Sequence, residues 1–362
     1  MELTWKEEKV SLDEVLEWIK SVTSATNVKG PEKIFRANDW GITAKFLADG
    51  KEVVCKIGFL PLFQTSPAIY QLLNGASNAH VPNLIKAVEK GQQTWMLFKP
   101  FYGQDLKESL SLAGIKEAAK TIASIQNEVS KKYMNNSRSI PKIEINELKP
   151  FCHTFLDFLE ENYAPLWRTN TRKIAEDFRI NKDKVAILGE PKTYQTLKAS
   201  ISQICRKLFD VNIPLSIFHL DLHTGNVVTL ENGSKLIYDW EEAIITLPFF
   251  ALSKLLPEAA NLADEENISN DPHLLTWNAA QQSVINAYLK ELNFNSESNK
   301  QHIFDLAMCL APLIYANQSL QFIDQVGWLD DAAGFLAYDV ILAFERMEEL
   351  EKKGKFDVLY DS

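Results

Sequence analysis

The chain has 362 residues, 46% hydrophobic and 24% charged, an ordinary globular composition at a length that suggests two structural units of roughly 150 residues each. Disorder, collagen and coiled coil are excluded. The 38 Lys and Arg against 48 Asp and Glu give a net charge of −10, the wrong sign for a protein whose main task is gripping a phosphate backbone.

Cys55, Cys152, Cys205 and Cys309 are far apart with no CxxC pair, so neither a zinc site nor a disulfide framework is indicated and a reducing compartment fits. The first residues are acidic, without the basic-then-apolar layout of a signal peptide. The longest apolar-type run, residues 307–316, is half a membrane span. A soluble, cytoplasmic protein with no nucleic-acid and no membrane partner is expected.

An amphipathic helix opens the chain, with Leu12, Val15, Leu16 and Ile19 on one stripe. Residues 33–57 read as three short strands, broken at Asn38-Asp39-Trp40-Gly41 and Asp49-Gly50. A short helix over 67–73 and strands over 81–88 and 94–98 follow, ended by Lys99-Pro100-Phe101-Tyr102-Gly103. This portion predicts a small, mostly antiparallel sheet with one helix. From Ser111, placed to cap a helix, the apolar period becomes 3.6, with Leu112, Ile115, Ala119, Ile122, Gln126 and Val129. Helical character then runs to the C-terminus around one β segment, residues 216–240, and residues 135–141 read as an exposed loop.

That β segment carries the chemistry. Asn232-Gly233 lies between two alternating apolar runs, a strong hairpin signal. With a two-residue loop at that pair, residue 231 faces 234 and Asn226 faces Asp239. Cross-strand partners share a face with Cβ atoms roughly 5 Å apart, so an amide oxygen and a carboxylate converge on one point. Mg²⁺ suits such a pair, because it takes one or two protein oxygens and completes its octahedron with phosphates and water. Asp221, five residues before Asn226, stands at the mouth of the same hairpin, where it is placed to accept a proton from an attacking hydroxyl.

The run His219-Leu220-Asp221-Leu222-His223-Thr224-Gly225-Asn226, followed by Tyr238-Asp239-Trp240-Glu241, resembles the HGDLHxGN…DW signature of the aminoglycoside phosphotransferase and choline kinase-like family. The resemblance implies an α+β, two-lobed protein kinase-like fold, with a nucleotide-binding sheet in residues 1–100 and a helical lobe in 101–362. It implies transfer of the γ-phosphate of ATP or GTP to a hydroxyl of a small acceptor. By the same resemblance Asp221 is the catalytic base, Asn226 and Asp239 hold Mg²⁺, and His219 supports the loop. Val53-Val54-Cys55-Lys56 resembles the family's V-A-I-K strand, which makes Lys56 the phosphate-binding lysine. Trp40 and Gly41 would then close over the nucleotide, and Phe98 and Phe101 would flank the adenine at the hinge.

The sequence departs from that pattern in places. No Asp or Glu occurs between Gly58 and His80, the stretch in which a helix glutamate orients the strand lysine, and Ser66 stands about where that acid belongs. The phosphate turn has the single glycine Gly41, and Leu220 replaces a small or polar residue. A catalytically weak or inactive binding module on the same fold is the alternative. A rival site is a zinc hydrolase built on His219, Asp221 and His223, which on a strand would share one side. From Glu241 onward there are 20 Asp and Glu against 7 Lys and Arg. Such a bias suits a cationic acceptor and equally the solvated face of outer helices. Glu241 and Glu242, directly after Asp239, are the acids expected to face the cleft.

Overall fold

The computed structural model describes residues 4–76, 79–133, 140–262, 275–294 and 300–354. Helix α1 (Leu12–Thr23) buries Val15 and Ile19 and ends at Ser24 with φ +56°. The sheet comprises β1 (Val28–Ala37), β2 (Gly41–Ala48), β3 (Lys51–Gly58), β4 (Leu84–Lys90) and β5 (Gln93–Phe98), with α2 (Ser66–Ala76) between β3 and β4. Its order is β1-β2-β3-β5-β4, antiparallel throughout. Asp49 and Gly50 both have positive φ between the paired Ala48 and Lys51, the conformation that a two-residue hairpin loop of the mirror-image type demands.

Alternation along these strands separates two faces. Ala44, Cys55 and Leu97 form a cross-strand row in the core beneath α1, as do Ile42, Ile57 and Trp95. The row between them, Thr43, Lys56 and Met96, points to the other face, which lines the cleft.

Short strand β6 (Gly103–Asp105) leads into the helical portion. Helix α3 (Leu112–Tyr133) is opened by Ser111, whose hydroxyl accepts from Gly114 N at 3.1 Å. Then come α4 (Ile145–Asn162), α5 (Ala164–Thr169), α6 (Thr171–Phe178), α7 (Lys182–Leu188), α8 (Pro191–Phe209), β7 (Ser216–Phe218), β8 (Val227–Leu230), β9 (Lys235–Ile237) and β10 (Ile244–Thr246). The chain closes with α9 (Leu255–Ala260), α10 (Ala279–Glu291), α11 (Lys300–Val326) and α12 (Leu329–Lys352). The loop expected over 135–141 falls mostly outside the described residues, and β10, paired with β7, is a strand the sequence pattern does not announce. The apolar run at 307–316 lies in α11. That helix is long and apolar enough to cross a membrane, yet 78% of its most apolar window is packed inside the protein, so it is accounted for as a core helix.

The hairpin register differs from expectation. Val227 pairs with Ile237, Val228 with Leu236 and Thr229 with Lys235, one residue out of register with a two-residue loop. Leu230 and Ser234 close the turn, with Leu230 N on Ser234 O at 2.9 Å and Gly233 N on Leu230 O at 2.8 Å. The loop is therefore Glu231-Asn232-Gly233, with Gly233 alone at positive φ, +83°. Asn232 instead spends its side chain on Ser234, accepting from N at 3.0 Å and Oγ at 2.7 Å. The residue facing Asn226 is Tyr238, whose N–H donates to Asn226 O at 3.1 Å. A one-residue slip reverses the faces, so Asp239 does not oppose Asn226 across a ladder.

Candidate active site

Asp239 reaches the cleft by another route. The chain leaves β9 at Ile237, and Asp239 takes φ +70°, a left-handed conformation that Asp tolerates better than most residues. Its carboxylate meets two cations from the sheet: Lys56 Nζ at Oδ1, and Arg36 Nη2 at Oδ2, 3.2 Å away. Burial alone would raise its pKa, but Lys56 and Arg36 hold it well below the usual carboxylate range.

The acid missing from α2 is supplied by Glu241. Its Oε1 lies 2.7 Å from Lys56 Nζ. Helix α2, on which the acid was expected, contributes a phenol: Tyr70 OH donates to Glu241 Oε1 at 3.2 Å and accepts from Trp240 N at 3.3 Å. Ser66 opens α2, fully buried, with no partner for its hydroxyl among the described residues. Lys56 thus remains charged despite burial, because Asp239 and Glu241 outweigh its desolvation.

Asp221 occupies the C-terminal side of the same cleft. Lys254 Nζ donates to its Oδ1 at 2.6 Å, His223 Nε2 lies 3.6 Å from Oδ2, and Asn226 Nδ2 donates to its backbone O at 2.8 Å and to Oδ2 at 3.2 Å. Burial opposes ionisation, yet His223 and Lys254 keep the carboxyl well below its ordinary pKa. Beneath it, His219 accepts from Asp221 N at 3.2 Å through Nδ1, which leaves the ring proton on Nε2 to donate to Tyr238 O at 2.8 Å. Burial pushes its pKa down to about 4, only partly offset by the Tyr238 carbonyl. Both ring nitrogens are therefore spent on the backbone, and the zinc site on His219, Asp221 and His223 is not formed.

Trp40, Gly41 and Lys56 line the cleft with Arg36, Thr43, Asp221, Asp239, Glu241 and Glu242, around about 150 Å³ of space. Phe98 and Phe101 do not. Phe98 is buried in the core against the Tyr70 ring, 4.8 Å between centroids, and Phe101 packs on Tyr238 at 5.7 Å. Trp40 touches two rings of the helical portion, Phe322 at 5.6 Å and Trp328 at 5.9 Å, which contact each other at 6.2 Å. The residues that sequence reasoning passed over are Arg36, Tyr70 and Lys254. Arg36 had one signal, a base directly before the turn at 38–41.

The donor chemistry fits Mg²⁺. Among the described residues no three His, Cys, Asp or Glu side chains form a ready-made cage, whereas Mg²⁺ needs only one or two protein oxygens beside phosphates. Asn226 has its amide nitrogen committed to Asp221, leaving the amide oxygen as donor. Asp221, Asp239, Glu241 and Glu242 crowd one cleft, and burial together with the Asp221 charge pushes Glu242 up to about 7, an anionic excess that a cation relieves.

The architecture defines a fold class, the two-lobed protein kinase-like fold, with the cleft between the sheet and the helical portion. No protein-family model and no curated protein matches the sequence. Solved structures do match. A protein described as an aminoglycoside phosphotransferase from Ralstonia eutropha is 12% identical, covering 93% of this chain and 98% of its own, with a TM-score of 0.54. The macrolide 2′-phosphotransferase of Brachybacterium faecium is 13% identical over 90% of this chain and 98% of its own, TM-score 0.52. The choline kinase of Streptococcus pneumoniae is 14% identical over the same shares, TM-score 0.50. The chain has the fold of these proteins: α+β, with a small antiparallel sheet lobe and a larger helical lobe.

Proposed function

We propose that this protein is a small-molecule kinase that transfers the γ-phosphate of ATP or GTP to a hydroxyl of its acceptor. The observation that carries this reading is the convergence of Lys56, Asp221 and Asp239, from three separated segments, on one cleft. We assign residues 1–100 and 101–362 to the two lobes and expect the protein to work in the cytoplasm. Asp221, ionised at neutral pH, accepts the proton of the attacking hydroxyl. His219 fixes the Asp221 backbone, and Lys56 meets the phosphates under the turn of Trp40 and Gly41. Asn226 and Asp239 are the residues that would hold Mg²⁺, which when bound neutralises phosphate charge. Catalysis of this kind is mainly positioning and charge compensation.

The acceptor is assigned to a cavity of about 450 Å³ that begins at Lys254, the residue touching Asp221, and is walled by Phe178, Tyr315, Phe335 and Tyr338. Lys254 and Arg346 stand there beside the carboxyl of Asp339, which burial pushes up to about 7. That lining favours an apolar or aromatic body bearing a hydroxyl and gives no support to a cationic acceptor. The inactive-module alternative rests on the acid missing after Lys56; the 2.7 Å contact of Glu241 with Lys56 supports the kinase reading against it. The test is nucleotide consumption against a panel of hydroxylated amines, sugars and aromatic alcohols, with Asp221→Asn as blank. Consumption by wild type alone supports the kinase, and equal background in both supports the module.

A further inference from the structure

We infer that Arg36 is a phosphate-binding residue of the nucleotide site, replacing with a guanidinium the backbone cradle that a glycine-rich turn would provide; the inference rests on the phosphotransferase reading above.

Two independent observations carry it. The first is that the turn over the cleft already uses the amides of Trp40 and Gly41. Asn38 Oδ1 accepts from Trp40 N at 3.2 Å and from Gly41 N at 3.0 Å, while Asn38 N donates to Gly41 O at 3.0 Å. The two N–H groups that would point at a phosphate in a nest are consumed inside the turn. A nucleoside triphosphate bound beneath it therefore gains from a cationic side chain.

The second is a one-residue bulge that puts Arg36 where such a side chain is needed. Ile34 pairs with Ala44 and Arg36 with Thr43, so Phe35 is an extra residue in β1. Strict alternation would send Arg36 to the same face as Ile34, toward the core. The bulge transfers it to the cleft face, a re-aiming that bulges beside active sites accomplish. Arg36, Thr43, Lys56 and Met96 thereby form one continuous cross-strand row, and all four line the cleft. Phe35, displaced by the bulge, is left 47% exposed, so its own burial is not what the irregularity secures.

Arg36 already holds a carboxylate, with Nη2 3.2 Å from Asp239 Oδ2 and its side chain 41% exposed on the open side of the cleft. A guanidinium presents a planar fork that matches a phosphate as well as a carboxylate. Asp239 keeps Lys56 when the fork turns to phosphate.

The test compares ATP, ADP and adenosine binding by calorimetry with magnesium and no acceptor, in wild type, Arg36→Lys and Arg36→Met. Wild type is expected to bind ATP more tightly than adenosine. Arg36→Met should weaken ATP about 10- to 100-fold and leave adenosine unchanged, with Arg36→Lys between, since it keeps charge without the fork. Unchanged ATP affinity in Arg36→Met overturns the inference, and so does an equal loss for adenosine, which would mark Arg36 as structural. If wild type binds none of these nor GTP, the phosphotransferase reading fails and takes the inference with it.

Discussion

Lys56 and Glu241 meet at 2.7 Å, one on the third strand of the sheet and the other just past Asp239 in the helical lobe. The contact ties the two lobes through the residue expected to meet the phosphates, and Tyr70 completes it from α2.

Glu241→Gln should therefore destabilise the fold by about 1–3 kcal/mol, the usual consequence of weakening a buried charged contact. Tyr70→Phe should cost about 0.5–1.5 kcal/mol. The two losses should not add, because both act on one hydrogen-bonded unit. Urea unfolding of the single and double variants measures the coupling, and strict additivity would contradict the arrangement.

Asp221→Asn should keep nucleotide affinity while turnover falls roughly 10²- to 10⁴-fold, the scale of a lost general base. Asp239→Ala should instead lose the magnesium-dependent part of nucleotide binding. Calorimetry with and without magnesium separates these outcomes, and identical behaviour of the two variants would dissolve the division of roles.

Leu220 sits between His219 and Asp221 with φ +64° and is buried, 2% exposed. The left-handed backbone costs a Leu about 1–2 kcal/mol, while removing a buried Leu side chain costs about 2–5 kcal/mol. Packing wins, so Leu220→Gly is destabilising. Leu220→Ala loses nearly the same packing and keeps the backbone strain, so it should be no more stable than the Gly variant, the reverse of the order in helices and strands. Thermal unfolding of the pair decides this.

His219 gives stability a pH dependence. Its pKa falls from an ordinary 6.5 to about 4 in the fold, so between those values the unfolded chain takes up a proton that the folded chain refuses. Stability should be full above about pH 6.5, decline as pH falls, and level off for this group below about 4, with a total near 3 kcal/mol. Urea midpoints of wild type and His219→Gln at pH 7 and 4.5 test it: the variant should lose less on acidification.

Much of this architecture is written locally. The sheet is legible because Asp49-Gly50 marks a tight turn between two alternating runs and the apolar period is two. The loop around Asp221 is legible because residues 219–226 hold their side chains within eight positions. The hairpin register was not, since Asn-Gly serves a two-residue loop with both residues at positive φ or a three-residue loop with only Gly233 so placed. Arg36 was hidden for a related reason: alternation assigns it to the core, and nothing local marks Phe35 as the extra residue. Glu241 was expected in the cleft, but its pairing with Lys56 is a contact across 185 positions, set by how the lobes dock. Phe98 faces Tyr70 and not the cleft because its side of the strand is covered by α2.

The contact of Trp40 with Phe322 and Trp328 changes how such a molecule opens. The covalent connection between lobes leaves the sheet at Phe98, opposite Val54. The three rings join the lobes at the far end of the same strand, where Phe59 N donates to Trp40 O. A body fastened at one point swings like a door; one fastened at both ends of its mouth must twist or slide. Opening the cleft then requires the parting of three aromatic side chains, two of which, Trp40 and Phe322, line the cleft itself.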